Sequence, residues 1–165
     1  RSTERIAVVK IDTEGFEPRV LQSLRPVWHF LDGGVVIELQ PHSWARNRID
    51  TEEAFGILRD FGAATGFVVV TLPHAAPIDS ATSQERGHAV GARVDPCLLS
   101  PLPVNSDTNG TAALALKAIT RGGITMAVTM NFWQLELGLR HLLEVDGHRG
   151  SFHDVLLRRG CLRGA

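Results

Sequence analysis

Apolar and polar positions change period several times along the 165 residues, and each change marks an element. Ile6-Ala-Val-Val-Lys-Ile11 is almost continuously apolar and rich in β-branched residues, the pattern of a strand buried on both faces. From Phe16 the spacing turns helical. Phe16, Val20, Leu21 and Leu24 fall near one face, Pro18 is tolerated in a first turn, and Arg25-Pro26 ends the run, so 15–24 is predicted to be a helix. Asp32-Gly33-Gly34 reads as a turn and Val35–Leu39 as a second buried strand. Asp50, three residues before Glu53, opens a helix whose apolar face is Phe55, Leu58 and Phe61 and whose stop is Gly62. Phe67–Leu72 is a third strand. Strand, helix, strand, helix, strand with short links predicts βαβ units and a parallel sheet, an α/β class.

Beyond residue 72 the pattern loosens. The stretch 73–110 carries Pro73, Pro77, Pro96, Pro101 and Pro103 among small polar residues, longer than a compact domain ordinarily leaves without structure. A helix over 111–121, ended by Gly122-Gly123, and a strand over 124–130 follow. Residues 132–144 fit a helix with Phe132, Leu135, Leu139 and Leu142 on one side. They fit equally a segment that begins as a strand, because Val128–Trp133 has strand propensity. The end, 148–165, is Arg- and Gly-rich with little apolar periodicity and is expected to fray. The organisation expected is therefore βαβαβ over 1–72, a loop-rich insertion over 73–123, a last strand and helix over 124–147, and a flexible tail over 148–165.

Composition narrows the classes. Hydrophobic residues make up 44% and charged residues 21%, which suits a folded globular chain. A net charge of -1 argues against a general nucleic-acid surface. No apolar run is long enough to span a bilayer. Cys97 and Cys161 form neither a metal-ligand nor a redox spacing. Asn109-Gly110-Thr111 fits a glycosylation acceptor, which has meaning only in the secretory pathway, and the compartment stays open.

The chemistry concentrates at the start. In open α/β sheets ligands bind outside the carboxyl ends of the strands. Asp12 and Glu14 follow the first strand there, and Glu38, Gln40 and His42 end or follow the second. Carboxylates so placed can accept a proton, hold a hydroxyl or amine, or bind a hard cation. The plainer use is structural: Asp12 as a helix cap, Glu14 as a first-turn charge, Glu17 in a capping box. No Gly-rich phosphate loop, Gly-x-Ser-x-Gly elbow or His-Glu-x-x-His is present.

Lys10-Ile-Asp-Thr-Glu-Gly-Phe-Glu17, then Val20-Leu21, then Val36-Ile37-Glu38 resembles the C-terminal half of the FkbM family of S-adenosylmethionine-dependent methyltransferases. Trp44 and the helix from Thr51 to Phe61 are similar to the family's continuation, and the likeness covers about residues 4–72. It implies a Rossmann-like class I methyltransferase sheet with the motif at the end of the fourth strand and Glu38 at the end of the fifth. It implies O-methyl transfer to a hydroxyl of a sugar or natural-product-like acceptor, with Asp12 catalytic and Glu14, Glu38 and His42 at the acceptor. The cofactor, S-adenosylmethionine, would be held by a Gly-rich turn that this chain does not contain, so the chain alone is expected to bind it poorly. The partner expected is a small-molecule or glycan acceptor. Two other readings stand beside this one: a non-catalytic interaction remnant of the same fold, and a metal-dependent hydrolase using Asp12, Glu38 and His42.

Overall fold

A computed structural model describes residues 4–71, 101–103, 107–119, 128–145 and 153–159. Among the described residues five strands make one open sheet: β1 (Ile6–Ile11), β2 (Leu31–Leu39), β3 (Phe67–Thr71), β4 (Thr129–Met130) and β5 (His153–Arg159), in the order β1-β2-β5-β3-β4. The protein is thus of the α/β class, but its sheet is mixed. β1 and β2 are parallel, whereas β5 runs antiparallel to both β2 and β3 and lies between them. The tail expected to fray therefore contains the sheet's middle strand over 153–159. Val155 and Leu157 point into the core with no exposed surface, and two inward residues between Asp154 and Arg158 are too short a period for a sequence pattern to reveal.

The helices are α1 (Glu17–Ser23), the four-residue α2 (Pro41–Trp44), α3 (Thr51–Thr65), α4 (Thr108–Ile119) and α5 (Phe132–Val145), with a 3-10 segment at Arg25–Phe30. Alternate residues of the sheet, Ile11, Val35, Ile37, Leu39, Val155, Leu157, Phe67 and Val69, join the helices in one buried cluster. At its centre Phe61 meets Trp28, Phe67 and Phe132 edge-on, with ring centroids 5.2, 5.4 and 6.1 Å away. Edge-to-face pairs of this kind add stabilisation beyond simple burial, of the order of 0.5–1.5 kcal/mol each.

Several boundaries differ from expectation for identifiable reasons. Asp32, Gly33 and Gly34 form no turn; they belong to β2. A Cβ on Gly33 would stand 1.7 Å from the Ala7 carbonyl oxygen, so glycine lets β1 and β2 approach where their register slips. Gly62 does not stop α3 either. The helix continues to Thr65 and closes on Gly66, whose φ of 67° is the left-handed conformation glycine adopts without strain. Gly62 instead leaves room for Phe132, whose ring would lie 2.3 Å from a Cβ there. Asp50 caps α3 as expected, its carboxylate accepting from Glu52 N and Glu53 N at 2.9 and 3.0 Å.

Of the two forms open to 132–144, the helix is the one adopted. Asn131 and Gln134 cap it reciprocally: Gln134 N donates to Asn131 Oδ1 and Asn131 N to Gln134 Oε1. Within the expected insertion, Leu102, Ala115, Ala118 and Ile119 belong to the main core. The small face of α4 lets its backbone approach Gly138 of α5 closely. Thr111, in the first turn of α4, is fully buried and its hydroxyl donates to the Asp107 carbonyl, so the Asn109-Gly110-Thr111 triplet lies within a packed helix. Cys97, Cys161, His148 and 124–127 lie outside the described residues.

A charged network ties α3 to α5. The Arg140 guanidinium donates to both Glu52 and Glu136, Arg59 pairs with Glu136, and Arg140 lies 4.5 Å over the Phe55 ring. The Arg140 hydrogen bond holds the Glu52 carboxyl below its ordinary range, and Glu52 in turn strengthens Arg140's hold on its proton. Among the described residues no helix is long and apolar enough to cross a membrane.

Candidate functional site

Because β1 and β2 are parallel with Ile11 opposite Ile37, their carboxyl ends reach the same edge of the sheet. That register brings together Asp12 and Glu14 from the first connection and Glu38, Gln40 and His42 from the second. All four residues expected to form the site, Asp12, Glu14, Glu38 and His42, therefore share one edge.

Asp12 is exposed and pairs with Lys10, whose ammonium lies 3.0 Å from Asp12 Oδ2. It does not cap α1. The cap position is Phe16, and no side chain hydrogen-bonds there. The plainer of the two uses foreseen for Asp12 is thus not the one adopted.

The loop between Asp12 and α1 is held in an unusual shape. Glu14 has φ of 54° and Gly15 φ of 99°, two left-handed residues in succession. A non-glycine residue in that region costs on the order of 1 kcal/mol and persists only where its surroundings fix it. Here Asn47 Nδ2 donates to the Glu14 carbonyl at 2.9 Å, and Gly15 packs so closely on the segment after β2 that a Cβ would lie 2.4 Å from Ser43 Cβ. The Glu14 side chain is left facing solvent.

Glu17 anchors the same loop from below. It is fully buried, and its Oε1 accepts from Gly15 N at 2.6 Å and from Thr13 Oγ1 at 3.4 Å. Its Oε2 accepts from Trp44 Nε1 at 3.2 Å. A carboxylate enclosed by these donors and by no solvent cannot meet a ligand. Glu17 is the residue that couples the first strand end to the second.

After β2 the chain turns through Pro41 into α2. Glu38 is half-buried, and Gln40 is 5% exposed. Gln40 Oε1 lies 3.5 Å from the Ser43 hydroxyl, whereas its Nε2 has no partner; His42 Nε2 is likewise buried without one. An unpaired buried polar group ordinarily costs about 1–3 kcal/mol. The sequence places Gln40 at this edge but the resemblance gives it no role, because an amide ending a strand signals nothing until its burial is known. Ser43, Trp44 and Asn47 were equally silent as supports of the first loop. Among the described residues no three His, Cys, Asp or Glu side chains are gathered to hold a metal, so Asp12, Glu38 and His42 do not constitute a ligand set.

Compared with protein families, curated proteins and solved structures, the chain matches none.

Proposed function

We propose that the chain is the acceptor-side, C-terminal part of an S-adenosylmethionine-dependent O-methyltransferase of the FkbM kind, acting on a hydroxyl of a sugar or natural-product-like acceptor. The observation that carries this reading is the order of the sheet. β1, β2 and β3 share one direction, and the last strand, β5, enters reversed between the second and third. A final strand that runs antiparallel between two parallel ones is the arrangement expected at the end of a class I methyltransferase sheet, and the two-residue β4, beyond β3, is an addition to it. The topology therefore supports, independently of the Lys10–Glu17 motif, aligning these strands with the fourth onward of that fold.

The described residues include no Gly-rich turn after a strand, so they do not fit as a cradle for S-adenosylmethionine. What they fit is the acceptor. Asp12, open to solvent and steadied by Lys10, can accept a hydrogen bond from a hydroxyl and take its proton as the oxygen becomes nucleophilic. Glu14 and Glu38 can receive neighbouring hydroxyls and so fix the acceptor's orientation, which contributes to such a reaction's acceleration.

The test is a methyl-transfer assay on the full product of the gene with sugar and polyketide acceptors. Asp12→Ala is expected to lower kcat by roughly 10²-fold or more. Transfer at the unaltered rate refutes the assignment of Asp12. Calorimetry of the 165-residue chain with S-adenosylmethionine is expected to show no micromolar binding; tight binding would place the cofactor side within this chain and overturn the division drawn here.

A second reading, an interaction module without catalysis, is favoured by the position of β1. It is an edge strand among the described residues, with Val8 64% exposed, and such an edge can pair with another chain. A strand followed by a Gly-rich turn upstream in the same reading frame would favour the enzyme instead.

A further inference from the structure

β1 forms one margin of the sheet, and among the described residues no strand pairs with its outer edge. The opposite margin is the two-residue β4, too short to template another strand, so the six-residue β1 is the edge able to receive one. It is open to approach: Val8 is 64% exposed, and Ala7 and Lys10 are exposed beside it. The Ala7 carbonyl is turned inward against Gly33 of β2. By the alternation of a strand, the peptide groups of Ile6 and Val8 are then directed outward.

The charges along this edge specify what fits it. Lys10 lies on the same side of the strand as Ile6 and Val8, and continuing the alternation back from Ile6 puts the exposed Glu4 on that side too. An antiparallel pair sets opposite each other only residues of like orientation, so two copies related by a two-fold axis must place that axis on a residue. With Val8 on the axis, Glu4 meets Asp12 of the second copy, like charge against like, and Ile6 meets Lys10. With Ile6 on the axis, Glu4 meets the apolar Val8. With Ala7 on the axis, Glu4 meets Lys10 at both ends, Ile6 meets Val8 at both, and two small side chains meet in the middle. We propose that β1 is a homodimerisation edge, at which two copies of this chain join antiparallel over Glu4–Lys10 with Ala7 on the axis. The inference rests on the second reading above, an edge that pairs with another chain, and names that chain as a second copy. The pairing stops two residues short of Asp12, which stays at the rim.

Sedimentation equilibrium of the 165-residue chain, from low micromolar to hundreds of micromolar, is expected to show monomer and dimer and nothing larger, because a two-fold contact closes on itself. Val8→Lys, at an exposed position, should weaken association about tenfold or more and leave the far-ultraviolet circular dichroism unchanged. Glu4→Lys sets lysine against Lys10, and Lys10→Glu sets glutamate against Glu4, so each alone should also dimerise about tenfold more weakly. Combining the two in one chain restores unlike charges at both ends with no change in net charge, and should recover the wild-type affinity. A chain that stays monomeric overturns the proposal, because Lys10 then guards the edge. So does a dimer that Val8→Lys leaves unweakened, or one that the charge-reversed double variant fails to recover, since the contact is then elsewhere or in another register. The two readings fail separately. Dimerisation as described, in a chain whose full gene product transfers methyl groups, sinks the non-catalytic reading alone, and a monomeric chain sinks this inference alone.

Discussion

Glu17 is the residue whose removal most directly tests how the site edge is built. Its carboxylate is enclosed, with Gly15 N at 2.6 Å and Trp44 Nε1 at 3.2 Å as the two effective donors and Thr13 Oγ1, at 3.4 Å, a weak third. Hydrogen bonds to a charged group contribute roughly 1.5–3 kcal/mol each, and a donor stranded in the interior costs about 1–3 kcal/mol. Relief of the carboxylate's own desolvation offsets part of this. Glu17→Ala should therefore cost about 3 kcal/mol, which for a chain of this size lowers Tm by roughly 6–12 °C. Glu17→Gln retains one acceptor and turns an NH₂ toward the other donor, for a loss of about half that. Trp44→Phe keeps the ring and removes the indole donor. Because the two residues share one bond, the Glu17→Ala and Trp44→Phe double variant should fall short of additivity by about 1 kcal/mol or more. Urea unfolding followed by far-ultraviolet circular dichroism measures all four proteins. Glu17→Ala within about 0.5 kcal/mol of wild type, or strict additivity with Trp44→Phe, would mean that Glu17 does not tie the two strand ends together.

Two further outcomes follow from the packing of α3 on α5. Gly62→Ala drives a methyl group into the Phe132 ring and should destabilise by about 1–3 kcal/mol in the same unfolding experiment, whereas an exposed helical glycine gains from that change. The Arg140 network should be acid-labile: Glu52 has its proton affinity depressed in the fold, so its contribution is complete above its ordinary value of 4.5 and is lost as pH falls below it. Arg140→Gln should flatten the stability profile between pH about 5 and 3, and an unaltered profile would show that the network does not bear on folding.

The strands and helices with clean periodicity were legible without coordinates. Ile6–Ile11, the second half of β2 and Phe67–Thr71 announce themselves by β-branched runs, and Asp50 by its place ahead of an apolar face. β1, however, is an edge strand with Ala7, Val8 and Lys10 exposed, and is not buried on both faces as its apolar run predicts. Glycine misled twice for one reason. Gly33 and Gly62 sit where a neighbouring chain comes too near for a side chain, and from sequence alone close approach cannot be distinguished from a turn or a stop. β5 was hidden because its stability comes from hydrogen bonds to β2 and β3 on both sides, a tertiary term with no local signature. Asn131 and Gln134 could have been read as a capping box, which would have settled α5 as a helix.

The carboxylates at the chain's beginning divide by burial rather than by chemistry. Asp12, Glu14 and Glu17 lie within six residues, yet Asp12 and Glu14 face solvent while Glu17 has no exposed surface. The left-handed pair Glu14-Gly15 makes that division possible, since it reverses the chain between the outward acids and the inward one. Its strain is held by Asn47 on the Glu14 carbonyl and by the glycine's fit against Ser43, both contributed by the segment that follows β2. The same segment carries Gln40 and His42 with their unmet polar atoms. One short stretch therefore fixes the loop that presents Asp12 and ties the first strand end to the second. A change at Trp44 or Asn47 should consequently loosen both strand ends together, as separate supports for the two would not.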